Sequence, residues 1–319
     1  MAEPDPGGST GNWERQIIEK LARAALDEQR RARHWGIFFK TLTFIYLFLL
    51  MFAALGWLGG REVTIPGDHT ALVELSGVIA ADTSANADVI SQGLQDAFGD
   101  KGTKGVILRI NSPGGSPVQA ATINSEIGRL RAKHPDIPIY AVVEDICASG
   151  GYYVAVAADR IYVDKASIVG SIGVLMDGFG FTGTMEKLGI ERRLLTAGEN
   201  KGFLDPFSPL DPAQREYAKR MLGEIHQQFV EVVRKGRGKR LKEAPDVFSG
   251  LVWTGQKSID MGLADALGSV DFVAREVIKA EKIVDFTPRE NLVERFAKRF
   301  GASLGEALLR AAGPLSPVR

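Results

Sequence analysis

A chain with a single cysteine, Cys147, cannot cross-link itself. That excludes an internal disulfide framework and a cysteine-based zinc cluster. Histidine is also scarce. His34, His69, His134 and His226 share no metal-ligand spacing and no H-E-x-x-H pattern, so no zinc hydrolase is expected and no metal or other cofactor is called for. Neither sign of charge is in excess: Lys plus Arg and Asp plus Glu each number 39, which removes the usual footprint of a nucleic-acid binder. With 45% hydrophobic and 24% charged residues, the chain reads as globular and long enough for one sizeable core.

Charge is missing altogether from one stretch. Residues 41–60, TLTFIYLFLLMFAALGWLGG, carry none. At the rise of an α-helix they span roughly 30 Å, the thickness of a bilayer's hydrocarbon core. A buried core helix and a cleaved signal peptide are the rival readings. The about forty residues before the stretch are longer than the n-region of a signal peptide. Arg23, Arg30, Arg31, Arg33 and Lys40 precede the span, whereas Arg61 alone follows it before Lys101. By the positive-inside rule the N-terminus is expected in the cytoplasm. The rest is expected outside it, in the periplasm or its equivalent if the membrane is a bacterial inner one.

Four regions are expected: a cytoplasmic segment 1–36, an anchor 37–60, a main folded domain 64–285 and an amphipathic segment 286–319. Residues 1–12 are Pro, Gly and acid rich and read as unstructured. Residues 13–34 read as a short amphipathic helix. Beyond the anchor, apolar runs at 71–79, 105–110, 137–143, 160–164 and 191–196 read as strands, and 87–98, 118–133 and 211–236 as helices. Strands alternating with helices indicate an α/β fold with a mainly parallel sheet. At the far end Leu292, Phe296, Phe300, Leu304 and Leu308 form an apolar stripe suited to self-association, to packing on the domain or to a membrane surface.

Two glycine-serine clusters follow expected strands, where open α/β sheets place their ligands. The first is Asn111-Ser112-Pro113-Gly114-Gly115, readable as a plain turn or as an oxyanion hole. The second surrounds Ser149 in Cys147-Ala148-Ser149-Gly150-Gly151. If a helix starts at 154–158, Ser149 lies at its N-terminal end and either caps it or acts as a nucleophile. A nucleophile needs a base, and neither His134 nor His226 falls in an active-site loop. A lysine serves when burial brings its pKa from about 10.4 towards 7–8. Lys201, in the loop 196–202, is either that base or an exposed loop lysine.

These motifs, with GSIGV at 170–174, GENKGFLDPF at 198–207 and WTG…GLAD at 253–265, resemble the short, single-module form of the bacterial signal peptide peptidase A family. The resemblance covers residues from about 70 to 275. It implies a spiral α/β fold of the ClpP/crotonase kind with a mainly parallel sheet behind one transmembrane helix. It also implies a Ser-Lys dyad in which Ser149 attacks and Lys201 is the base. Ser171 would orient the lysine, and Gly150 with Gly114, or Gly115 in its place, would supply the oxyanion donors. The implied substrates are cleaved signal peptides left in the membrane. Because the chain has one module, the resemblance implies a homo-oligomer in which Lys201 of one subunit serves Ser149 of the next. A protease for other membrane proteins and a crotonase-like acyl-CoA enzyme are the alternatives. Asn200, where an aromatic residue is common, and Cys147, in place of alanine, depart from the pattern without touching the chemistry.

Overall fold

The structure is a computed structural model, and it describes residues 10–58, 67–242 and 244–288. It divides into two compact units, Met1–Thr64 and Ile65–Arg319. In the first, a single helix α1 runs from Thr10 to Leu58. The expected short helix and apolar span are therefore one continuous element, which starts inside the stretch read as unstructured; residues 1–9 lie outside the described residues. Its portion Ile18–Phe52 is long and apolar enough to cross a membrane, and none of the most apolar window is buried.

The second unit is an α/β domain. Its main strands are β1 (His69–Ser76), β2 (Thr103–Ser112), β3 (Ile139–Ala148) and β4 (Arg160–Val163), with short β5 (Ile168–Gly170), β6 (Val252–Thr254), β7 (Ala266–Leu267) and β8 (Ile283–Asp285). The helices are α2 (Ala87–Gly99), α3 (Pro117–Lys133), α4 (Gly150–Ala155), α5 (Thr182–Lys187), α6 (Pro212–Arg237), α7 (Gly255–Asp260) and α8 (Val270–Phe272), the last continuing as a π turn over Val273–Ile278. Among the described residues all eight strands join one sheet, ordered β6-β5-β3-β2-β1-β8, with β4 and β7 branching from β3. Every pairing is parallel except β5 with β6.

Alternation along the strands builds two cores. Ala71, Val73 and Leu75, with Val106, Leu108 and Ile110, face the helical layer and meet Ile90, Leu94, Ile123 and Phe229. Leu72, Ile107, Val142 and Tyr162 face the other way, onto Val273 and Ala274. Both faces are covered, so the strands read as apolar runs rather than alternating ones. Polar caps fix where the helices begin: Asn86 accepts from the Val89 N–H, Ser116 from Gln119 and Asp211 from Ala213. Pro117 and Pro212 stand in first turns, where no backbone donor is missed.

The structure corrects the sequence reading at 191–196, which carries no strand. That stretch is exposed and has no neighbouring strand to complete a ladder. The helix expected at 154–158 starts earlier, at Gly150. The stripe at 292–308 lies outside the described residues.

Candidate active site

Ser149 is the residue between β3 and α4. Its backbone sits at φ 51°, ψ −124°, a conformation that a side chain makes costly by about 1–3 kcal/mol. Cross-strand bonding holds it there: Ala148 pairs with Gly170, and the Ser149 N–H donates to the Gly170 carbonyl at 2.8 Å. Ser149 occupies the N-cap position of α4, yet its side chain makes no capping bond. Half-buried on a strained turn with its hydroxyl uncommitted, it has the backbone setting of a nucleophile.

The Asn111–Gly115 turn packs directly on this one. Gly114 has φ 102°, and a Cβ there would lie 2.7 Å from both the Ser149 Cβ and the Gly150 nitrogen. A Cβ on Gly115 would meet the Ile79 carbonyl oxygen at 2.1 Å. Glycine is required at both positions by contact as well as by dihedral. The turn is locked by Ile79, whose N–H donates to the Gly114 carbonyl at 2.8 Å and whose carbonyl accepts from Ser116 at 2.7 Å. Ser112, fully buried, donates to the Gly77 carbonyl at 2.6 Å and accepts from the Gly114 N–H at 3.2 Å. Gly114 thus has an internal partner for its donor. The N–H groups of Gly115 and Gly150 find no acceptor among the described residues, and a Cβ on Gly150 would sit 3.2 Å from the Gly115 nitrogen.

Ser171 occupies the matching place on the adjacent strand. One residue past the Ala148–Gly170 pair, it too has positive φ, 52°, and its N–H donates to the Leu251 carbonyl at 2.7 Å. Paired strands lie about 4.8 Å apart, so the two serines emerge side by side from the sheet end. Trp253, on β6, lies over the Gly170 α-carbon: a Cβ there would be 3.0 Å from its Cδ1. Its indole N–H is buried and has no hydrogen-bond partner among the described residues.

Lys201 is in a more open setting. It is exposed in the arm formed by residues 174–210, and its ammonium meets no hydrogen-bond or ion-pair partner among the described residues. No described hydrogen bond links that arm to the Ser149 turn. Within one chain the structure brings Ser149, Ser171, Gly114, Gly115 and Gly150 together, and no hydrogen bond or ion pair among the described residues joins Lys201 to them. His134 packs on Phe98, and His226 places Nε2 3.2 Å from the Ile172 carbonyl; neither is hydrogen-bonded to Ser149 among the described residues. Cys147 is fully buried, which pushes its thiol well above the ordinary range and removes it as a nucleophile.

Sequence reasoning passed over Ser112 and Trp253. Both lie in quoted motifs, but only the fold shows that one braces the Gly114 turn and the other covers Gly170. The described residues contain no cluster of His, Cys, Asp and Glu able to hold a metal. A cavity of about 1050 Å³ opens against the smaller core, lined by Leu72, Arg109, Glu144 and Phe272; it includes none of the serine-site residues.

The model of peptidase family S49 matches residues 131–284. A Brucella melitensis protein named Na(+)/H(+) antiporter NhaA is 42% identical over 213 residues, 66% of this chain and 29% of that one. A putative signal peptide peptidase of Enterococcus faecium is 31% identical over 188 residues, 59% of this chain and 54% of its own. A putative protease of Methanocaldococcus jannaschii is 32% identical over 225 residues, covering 67% of this chain and 71% of that one. The chain thus spans less than a third of the Brucella relative and about half of the Enterococcus one. Among solved structures, a membrane-bound stomatin-specific protease aligns with a TM-score of 0.40 at 12% identity, over 70% of this chain and all of the other. The chain belongs to peptidase family S49, the serine peptidases of the signal peptide peptidase A type.

Proposed function

We propose that this chain is a membrane-anchored endopeptidase that hydrolyses peptides, signal peptide remnants foremost, by a Ser149–Lys201 dyad completed between subunits. One observation carries the reading. An uncapped serine is held at φ 51° against two glycine N–H groups that have no acceptor among the described residues. Ser149 Oγ attacks the scissile carbonyl, and its proton passes to Lys201 Nζ. The carbonyl oxygen gains the charge and takes hydrogen bonds from the Gly150 and Gly115 N–H groups. Gly114 shapes the turn that presents them. Collapse expels the amine, which takes the proton from Lys201, and water then cleaves the acyl-enzyme by the same route. Ser171, beside Ser149, receives the lysine and orients it.

Lysine is a base only when neutral, and burial favours that state. An exposed Lys201 meets the requirement once its arm docks against a second copy, which supports a homo-oligomer with shared sites. The long apolar helix and its flanking charges support an N-terminus in the cytoplasm and a catalytic domain outside the bacterial inner membrane.

The test mixes inactive Ser149→Ala with inactive Lys201→Ala protein and lets subunits exchange. Contacts that pair an intact serine with an intact lysine should restore part of the peptidase activity and fluorophosphonate labelling. No recovery despite demonstrated exchange would place the dyad within one chain.

A further inference from the structure

In the 174–210 arm most side chains face solvent, and Asp205 is among the exceptions, with 11% of its side chain exposed. Its Oδ2 accepts from Ser208 Oγ at 2.6 Å and from Arg192 Nε at 3.3 Å, and its Oδ1 accepts from the Phe207 N–H at 3.4 Å. The Ser208 hydroxyl, with Arg192 adding to it, holds this carboxyl below the usual carboxylate range. The same short stretch gathers the other limbs of the arm. Phe207 stacks on Phe181 at 5.4 Å, the Phe181 N–H donates to the Pro206 carbonyl at 2.8 Å, and the Arg192 guanidinium lies 5.7 Å over the Phe207 ring. On the near side, Leu204 has φ 53° and donates its N–H to Gln214 Oε1 at 3.0 Å, which ties the stretch to the start of α6.

Lys201 is four residues before Asp205, and successive tight turns connect them. Phe203 donates to Asn200 and Asp205 to Gly202, both at 3.1 Å. The Lys201 side chain makes no hydrogen bond or ion pair among the described residues. Whatever precision this chain gives the lysine must therefore come through its backbone, since a four-carbon stem fixes nothing by itself. Asp205 is the side chain at which the constraints on that backbone meet.

We propose that Asp205, through its pair with Arg192 and its bond to Ser208, is a positioning residue that sets the Lys201 loop in the geometry required for proton abstraction from Ser149. This rests on the Ser149–Lys201 reading above. The paired carboxylate closes the 190–195 limb onto the 205–208 turn, so the lysine loop enters the neighbour's site as a preformed element. A misplacement of about 1 Å in such a group costs on the order of a hundredfold in rate.

The experiment uses the full-length chain and compares wild type with Asp205→Ala, Arg192→Met and Lys201→Ala. It measures the rate of Ser149 labelling by a fluorophosphonate as a function of pH, together with kcat and KM on a peptide, melting temperature and oligomer size. Asp205→Ala should slow labelling by roughly 10- to 100-fold and move its rise to higher pH, with KM, melting and assembly little changed. Arg192→Met should move both in the same direction by a smaller factor. Wild-type rates and pH dependence in both variants, beside a dead Lys201→Ala, would overturn the proposal. A loss of rate that only follows a loss of assembly would overturn it too, by making the pair structural. Full labelling of Lys201→Ala would instead remove the dyad on which the proposal stands.

Discussion

The Ser149 turn and the Lys201 arm are built on opposite plans. Around Ser149 the chain is enclosed: Cys147, Ala148, Gly150, Gly151 and Tyr152 are all buried, and strand partners dictate the backbone. Along 174–210 Leu175, Phe179 and Leu195 are 79%, 80% and 95% exposed. Monomeric proteins rarely leave so much apolar surface uncovered. The contrast teaches that this domain fixes its strained residues with its own core and leaves its lysine on an exposed arm rich in uncovered apolar side chains.

Breaking the enclosed side should have the largest effect. Gly115→Val places side-chain atoms where the Ile79 carbonyl already stands. Labelling should be lost altogether and the melting temperature should fall by many degrees, as expected of overpacking at a site with no room to relax. A variant that still labelled would show that the two turns are not rigidly joined.

Next comes Arg237, fully buried on α6, with two nitrogens on the Asp265 carboxylate at 2.8 and 3.0 Å. Burial pulls the Asp265 carboxyl upward, but the hydrogen-bonded Arg237 guanidinium outweighs it and the carboxyl stays below its ordinary value. Arg237→Met should destabilise the domain by about 3 kcal/mol near neutral pH, measured by urea unfolding. Because the native carboxyl is depressed, its contribution is complete above the ordinary carboxylate range of about 4 and fades as pH falls through the native value. The gap between variant and wild type should narrow in acid. A pH-independent gap would reduce the pair to packing.

The smallest effect on the folded chain should come from the arm. Leu195→Ser should change stability by less than about 0.5 kcal/mol, as surface substitutions do. It should nonetheless weaken self-association, read by sedimentation. Loss of stability with intact assembly would reverse the comparison.

Most of the enclosed side was legible in the sequence. Runs such as GVILRI and IPIYAVV are apolar because both sheet faces are covered, and NSPGG and ASGG mark strand ends where only glycine fits. Element edges were less so: β5, β6, β7 and β8 are two or three residues long, too short for any period to show. The positive φ of Ser149 and Ser171 had no signal at all, since a serine is not the residue that conformation selects. ERRLLT has the composition of a strand and forms none, because pairing depends on a neighbour that composition does not record. That the Gly114 N–H is occupied turned on one hydrogen bond to Ser112, a contact within the motif that spacing cannot rank.

Trp253 carries a practical consequence. The other three tryptophans, Trp13, Trp35 and Trp57, all precede residue 65, so the catalytic unit has a single indole. That indole lies over Gly170, whose carbonyl receives the Ser149 N–H. With the three N-terminal tryptophans replaced by phenylalanine, fluorescence would come from one fluorophore beside the reactive turn. Acylation of Ser149, docking of a lysine arm or displacement of β6 would each be followed optically, in real time and without a label. The fold has set its own spectroscopic probe against the strand pair that holds Ser149.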